Sequence, residues 1–135
     1  MPFTLAGVHQ APNIQTSSEI YEIENDAADP EHKIEAAMWA IHPWKDQVVL
    51  DLGAGTGFHV PRFHTEAAHV FAMEPHDESR LKIMSRVAAL NMAHVSVMAG
   101  SAEQILLPDS SIDIVHARFA YFFGSKNEPG LVELA

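Results

Sequence analysis

Hydrophobic and polar positions along the chain predict strands that alternate with helices. The apolar run Val48–Leu52 is typical of a strand buried on both faces, and a second strand is expected from His69 to Glu74. The third is expected from Val95 to Ala99 and the fourth from Ile112 to Ala117. Because helical segments separate the strands, the pattern predicts an α/β fold with an open parallel sheet and right-handed crossovers.

The helices of this pattern have recognisable ends. Asp29 as N-cap and Pro30 at the first helical position predict a helix that Pro43 ends. Its apolar residues recur at i, i+3, i+4 and i+7, at Ile34, Ala37, Met38 and Ile41. A short helix is expected from about Thr56 to Thr65, with Pro61 in its first turn.

Two more helices are expected further along the chain. Asp77 is predicted to cap a helix that runs to about Asn91, with three apolar residues on its inner face, Ile83, Val87 and Leu90. The segment 127–131 begins another helix after the fourth strand. Residues 100–103 form a predicted turn.

The turn after the first strand is the strongest chemical signal. Glycines at 53, 55 and 57 allow positive φ and close approach of the backbone to a ligand. Asp51 lies at the carboxyl end of the first strand, where open α/β sheets bind ligands, and can order the turn or meet an ammonium group through water. Glu74, at the end of the next strand, can accept two hydrogen bonds from vicinal ribose hydroxyls.

The same acid would also suit a nicotinamide dinucleotide, but the glycine spacing argues against one. A dinucleotide turn requires its third glycine three residues after the second, and that position is Phe58. The spacing therefore favours a nucleoside methyl donor over an NAD(P)-dependent oxidoreductase.

Composition narrows the class of protein. The 135 residues are enough for one domain, and 18 acidic against 8 scattered basic residues give a formal net charge of −10, so nucleic acid is not an expected partner. The chain has no cysteine, and His59 and His64 do not share a helical face, so no metal is predicted. Without a signal sequence or a long apolar segment, a cytoplasmic protein with no membrane partner is expected.

The segment 51–57 resembles the first motif of class I S-adenosylmethionine-dependent methyltransferases. Glu74 matches the acid that closes the family's second strand, residues 100–103 are similar to its adenine-flanking turn, and residues 107–115 resemble its approach to strand four. The resemblance covers about residues 30–123 and implies a Rossmann-like sheet with helices on both faces. Its nearest branch is the methyltransferases that act on small molecules.

The resemblance implies S-adenosylmethionine as cofactor and a methyl transfer by in-line displacement. The implied cofactor-binding residues are Tyr21, Asp51, Gly53, Ala54, Gly55, Gly57, Glu74, Pro75, Ser101 and Ala102. Ser101 departs from the aspartate of many relatives, which weakens the expected selectivity for adenine. Tyr21 is the hypothesised lid residue, since similar proteins fold an aromatic side chain from an N-terminal arm over the cofactor.

The resemblance also predicts that the chain is truncated after strand four, since complete members have seven strands. We expect an N-terminal arm at 1–29 and an incomplete methyltransferase domain at 30–135. A parallel sheet that ends there leaves an edge uncovered, so a second copy or a completing segment is expected. A cofactor-binding fragment or subunit without turnover is the alternative function.

No catalytic base is assigned from the sequence. Methyl transfer needs alignment and exclusion of water, with a base only for a protonated acceptor. Three residues fall near the expected site without a nominated role, namely His116, Arg118 and Tyr121. The aromatic residues after the fourth strand either line an acceptor pocket or belong to the core: Phe119, Tyr121, Phe122 and Phe123.

Overall fold

The computed structural model describes residues 18–118 and 128–135, and these residues form a parallel α/β sheet with flanking helices. The helices are α1 (Ser18–Ala28), α2 (Lys33–Ile41), α3 (Val60–His64), α4 (Asp77–Ala89) and α5 (Glu128–Leu134). The strands are β1 (Val48–Leu52), β2 (His69–Met73), β3 (Val95–Met98) and β4 (Ile114–Ala117).

The sheet has the strand order β3-β2-β1-β4, and its three pairings are all parallel. Leu52 pairs with Met73 on one side and Ala117 on the other, so three strands reach their carboxyl ends together. The predicted α/β class and the Rossmann-like parallel sheet are confirmed. The carboxyl edge of this sheet therefore carries the turns and loops that sequence analysis identified as a binding site.

Alternate residues of the central strands build a core on each face of the sheet. Val49 and Val70 belong to a cluster that α2, α3 and α4 cover, with Trp44, Phe63 and Ile83 among its buried members. Leu50, Leu52 and Met73 face the opposite side and pack with residues from the segment 102–112. Burial on both faces explains why β1 reads as a continuous apolar run.

The strand boundaries differ from the predicted ones by one or two residues. β2 and β3 each end one residue early, at Met73 and Met98. β4 begins at Ile114, two residues late, because Asp113 caps the neighbouring strand: its Oδ2 accepts a hydrogen bond from Val48 N at 2.8 Å. β1 has the predicted bounds.

The helix starts show a second kind of error. α2 begins at Lys33, three residues after Pro30, and Asp29 caps it from outside by accepting hydrogen bonds from the amides of Ile34 and Glu35. Asp77 is the first residue of α4, and His76 takes the N-cap position. Residues 29–32 form a turn, with His32 at φ 57°, where the sequence pattern predicted the first turn of α2.

The helix ends and the N-terminal segment bring further corrections. α4 ends at Ala89, two residues early, because Asn91 takes a left-handed conformation at φ 50°, and Leu90 is exposed rather than on the inner face. Pro61 lies in the first turn of α3, as predicted, although α3 begins only at Val60. Sequence analysis assigned no helix to residues 18–28, which form α1. The division into an arm and a domain stays a prediction.

Candidate functional site

The glycine turn at residues 53–57 is fixed to the end of β2 by backbone hydrogen bonds. The amides of Gly53 and Ala54 both donate to the carbonyl of Met73, at 2.9 and 3.0 Å. The three glycines have φ values of 69°, 61° and 78°, a region that residues with a Cβ rarely adopt. The prediction that this turn needs glycine for its backbone conformation is confirmed.

Gly55 is the contact point between this turn and two other elements. Its amide donates a hydrogen bond of 2.7 Å to Glu74 Oε2, directly after β2. A Cβ on Gly55 would lie 2.5 Å from the Tyr21 hydroxyl oxygen, which shows that the Tyr21 ring from α1 lies against the turn. Glu74 and Tyr21, predicted as site residues from distant parts of the sequence, thus meet at one glycine.

The Glu74 carboxyl is buried, and burial raises its pKa to about 7. Desolvation of the charged form outweighs the hydrogen bonds that the amides of Gly55 and His76 donate to the carboxylate. The Tyr21 phenol has a pKa raised to about 12, chiefly by burial and additionally by nearby carboxylates. The site is therefore a desolvated, acidic environment.

Asp51 is also buried at this edge and pairs with a histidine that sequence analysis left without a role. Its Oδ1 lies 2.8 Å from Nδ1 of His116, the residue directly opposite on β4. Its Oδ2 is buried and has no hydrogen-bond partner within the described residues. Asp51 therefore retains one acceptor for a ligand after it has oriented His116.

Ser101 and Ala102 are buried in the turn after β3. The turn closes through reciprocal backbone hydrogen bonds of 3.0 Å between Ser101 and Gln104. Ser101 Oγ is buried without a hydrogen-bond partner among the described residues. A buried hydroxyl in this state is available to a polar group of a ligand. Pro75, the remaining predicted site residue on this edge, is half-buried directly after Glu74.

Gly57 has a structural explanation that the sequence did not supply. A Cβ at this position would lie 3.2 Å from Ile83 Cγ2 of α4, so the glycine permits close packing of the turn on that helix. Its proposed contact with the cofactor stays a prediction. His59, which follows the turn, is half-buried, and desolvation lowers its pKa to about 4, so it is neutral at pH 7.

Two arrangements were missed by sequence analysis. The Asp51–His116 pair follows from the adjacency of β1 and β4, which the linear pattern does not encode. Glu22 of α1 accepts a hydrogen bond of 2.6 Å from Thr56 Oγ1 of the glycine turn and forms an ion pair with Arg86 of α4. No periodicity could identify Glu22, because acids at 19, 22, 24 and 26 look alike in the sequence.

The remaining predicted features concern the end of β4, metal binding and membrane association. Arg118 is half-buried at the end of β4, and the aromatic residues at 119 and 121–123 lie outside the described residues. Among the described residues there is no group of three His, Cys, Asp or Glu side chains placed to hold a metal ion. In the same part of the chain, no helix is long and apolar enough to cross a bilayer. The cytoplasmic location stays a prediction.

These residues fit an S-adenosyl nucleoside. Two acceptors at the carboxyl edge of the sheet are unpaired among the described residues. They are Asp51 Oδ2 in β1 and Ser101 Oγ in the turn after β3. Carboxylates suit the hydroxyl and ammonium donors of such a molecule, and a desolvated acidic site favours its positive charge. Glu74 suits the ribose of either ligand, but a diphosphate carries negative charge and is disfavoured beside the buried Asp51 carboxyl.

Comparison with known proteins agrees with this geometry. The chain matches the family model described as a methyltransferase domain over residues 49–134. That match covers more than half of the chain, which therefore belongs to the methyltransferase domain family. None of the curated proteins matches the chain significantly.

Solved structures share the fold. An S-adenosylmethionine-dependent methyltransferase from Aquifex aeolicus is 23% identical, with 88% of this chain and 66% of that chain covered and a TM-score of 0.73. The YcgJ protein of Bacillus subtilis is 24% identical, with coverage of 73% and 43% and a TM-score of 0.67. Protein arginine methyltransferase 10 of Arabidopsis thaliana is 27% identical, with coverage of 78% and 31% and a TM-score of 0.59. The chain thus spans 66% of the first structure and less than half of the other two.

Proposed function

We propose that this chain binds S-adenosylmethionine at the glycine turn and is the cofactor-binding part of an enzyme that transfers the methyl group to a small molecule. One observation carries the proposal: at Gly55, the turn after β1 meets the buried Glu74 carboxyl beyond β2. Membership of the methyltransferase domain family supports the same cofactor.

The predicted residues other than Gly57 each have a place in this proposal. Glu74 accepts hydrogen bonds from ribose hydroxyls, while Asp51 Oδ2 serves the ammonium group of the methionine portion. The backbone at residues 53–55 contacts that portion, and the segment 101–102, with the Ser101 hydroxyl, borders the adenine. Pro75 follows Glu74 and borders the ribose end of the site, and Tyr21 covers the turn.

The chain contributes alignment and exclusion of water. When bound, S-adenosylmethionine supplies a methyl group on a positively charged sulfur that a nucleophile can displace. Tyr21 from α1 shields the turn from solvent, and the acidic side chains stabilise positive charge in the ground state. The displacement requires no base unless the acceptor atom arrives protonated, and His116 is assigned the structural role of partner to Asp51.

The acceptor is proposed to be a small molecule because the chain carries a net charge of −10 and lacks a basic stripe for nucleic acid. A structural neighbour that modifies protein arginine makes a protein acceptor the competing choice. Transfer of a labelled methyl group to a metabolite extract, to total protein and to RNA separates these classes. Label in the protein or RNA fraction alone would refute the small-molecule proposal.

Isothermal titration of the 135-residue chain tests the cofactor. We expect S-adenosylmethionine to bind and NAD not to bind, and Glu74→Gln to weaken binding by about tenfold to a hundredfold. Glu66→Gln is the matched control, because Glu66 is exposed before β2 at the opposite edge of the sheet. Preferential binding of NAD would replace the proposal with an oxidoreductase, and binding without methyl transfer to any fraction would favour the cofactor-binding fragment.

A further inference from the structure

The helix α1 has too little apolar contact to hold itself on the domain. Among the side chains that the structure describes in α1, Tyr21 and Asn25 are buried, whereas Ile20 and Ile23 are 52% and 67% exposed. An isolated helix of 11 residues is marginal in water, so α1 depends on contacts with the rest of the chain.

Electrostatics oppose the position of α1. The helix carries four acids and no base, and it lies beside a turn that is flanked by the buried carboxyls of Asp51 and Glu74. Like charges brought together at a desolvated site repel one another. A cation beside Glu22 therefore offsets part of this repulsion.

Glu22 supplies the connection to such a cation. Its Oε1 accepts the hydrogen bond from Thr56 Oγ1 and also pairs with the Arg86 guanidinium near the end of α4. One carboxylate oxygen thus joins α1, the glycine turn and α4. The side chains of Glu22 and Arg86 are 30% and 28% exposed, so salt in the solvent screens this pair in part.

We infer that Glu22 is a positioning residue that fastens α1 to the glycine turn through Thr56 and Arg86, and that this latch sets how fast the cofactor leaves. Tyr21 is the residue directly before Glu22 and lies against Gly55, so release of Glu22 frees Tyr21 from the turn. The effect on the cofactor rests on the proposed function. The latch itself is a property of the ligand-free chain.

Hydrogen–deuterium exchange on the ligand-free chain tests the latch. Glu22→Gln is expected to speed the exchange of amides in residues 19–28 about tenfold and to leave the amides of β1 and β2 unchanged. Arg86→Gln should act in the same direction from the α4 side. Glu19→Gln removes the same charge from an exposed position on the same helix and should leave the exchange of residues 22–28 unchanged.

Two readouts distinguish a latch from general loss of structure. Salt should speed α1 exchange in the wild-type chain and have little effect in Glu22→Gln, because the screened ion pair is already absent. Thr56→Ser should preserve wild-type exchange, since it keeps the hydroxyl, whereas Thr56→Val should not. Unchanged α1 exchange in Glu22→Gln, or an equal effect of Glu19→Gln, would overturn the inference.

Stopped-flow dissociation of S-adenosylmethionine tests the consequence for the site. The dissociation rate constant should rise about tenfold in Glu22→Gln and stay at the wild-type value in Glu19→Gln. Faster α1 exchange with an unchanged dissociation rate would refute the role in positioning. Failure of the wild-type chain to bind S-adenosylmethionine would contradict the proposed function, whereas the exchange data would still decide the latch.

Discussion

Replacement of Glu74 by glutamine is expected to stabilise the fold at alkaline pH and weaken the cofactor site. The Glu74 carboxyl has a pKa of about 7 in the folded chain, against an ordinary value of 4.5. Its folded-state pKa is raised, so the stability linked to its protonation is complete below about pH 4.5 and is lost as the pH rises through 7. Above pH 7 the folded protein bears the full cost of a buried charge.

The magnitude follows from that difference in pKa. A difference of about 2.5 pKa units corresponds to about 3 kcal/mol, and glutamine occupies nearly the same volume without the charge. Glutamine also keeps an oxygen that can accept the hydrogen bond from Gly55 N. The free energy of unfolding of Glu74→Gln should therefore exceed that of the wild type by up to about 3 kcal/mol at pH 8, and the two should agree at pH 4.

Urea denaturation at pH 4, 6 and 8 measures this difference, and Glu66→Gln serves as the exposed control. In parallel, the affinity of the wild-type chain for S-adenosylmethionine should fall as the pH drops below 7, while that of Glu74→Gln should be low and independent of pH. A variant that is less stable than the wild type at pH 8 would show that the hydrogen bonds to the carboxylate outweigh its desolvation. That result would refute the account of Glu74 as a residue retained for binding at the expense of stability.

Substitutions at three further positions of the site, Gly55, Gly100 and His59, test its packing and its titration. Gly55→Ala should lower the free energy of unfolding by at least about 1 kcal/mol because of its φ of 61° and its clash with Tyr21, and adding Tyr21→Ala should relieve part of that loss in urea denaturation. Gly100→Ala places a Cβ 2.3 Å from Met73 Sδ and should cost about 1–3 kcal/mol by the same assay, with S-adenosylmethionine affinity measured on the folded variant. His59 has a pKa lowered to about 4, so its contribution to stability is lost as the pH falls from 6.5 through 4. His59→Gln should therefore flatten the dependence of the free energy of unfolding on pH in that range. An unchanged slope would contradict the lowered pKa of His59.

The sequence predicted those features that depend on local pattern. β1 has the predicted bounds because Val49, Leu50 and Leu52 are all buried, so its apolar run has no polar interruption except Asp51. The glycine turn was predictable because only glycine tolerates three positive φ values within five residues. In both cases the residue types themselves restrict the conformation.

Features that depend on tertiary contacts were not predictable. Asp29 caps α2 from four residues before its first residue. An N-cap normally lies directly before the helix, so sequence analysis placed the helix start at Pro30, which is too early. The Asp51–His116 pair requires the strand order, and the contact of Glu22 with Thr56 joins residues 34 apart in the sequence. Tyr21 could be proposed as a lid only by resemblance, since the large apolar residues at helical spacing in α1, Ile20 and Ile23, are exposed and do not mark the side of the helix that packs.

The single carbonyl of Met73 that receives the amides of Gly53 and Ala54 has a consequence for how this site tolerates change. Glu74 is the next residue along the chain. The carbonyl that holds the turn and the carboxyl that binds the Gly55 amide therefore belong to two consecutive residues. An insertion or deletion within β2 would displace both at once, whereas a length change in the loop before β2 would displace neither. Natural variation in chain length is therefore expected to concentrate before His69 and to spare the five residues that follow.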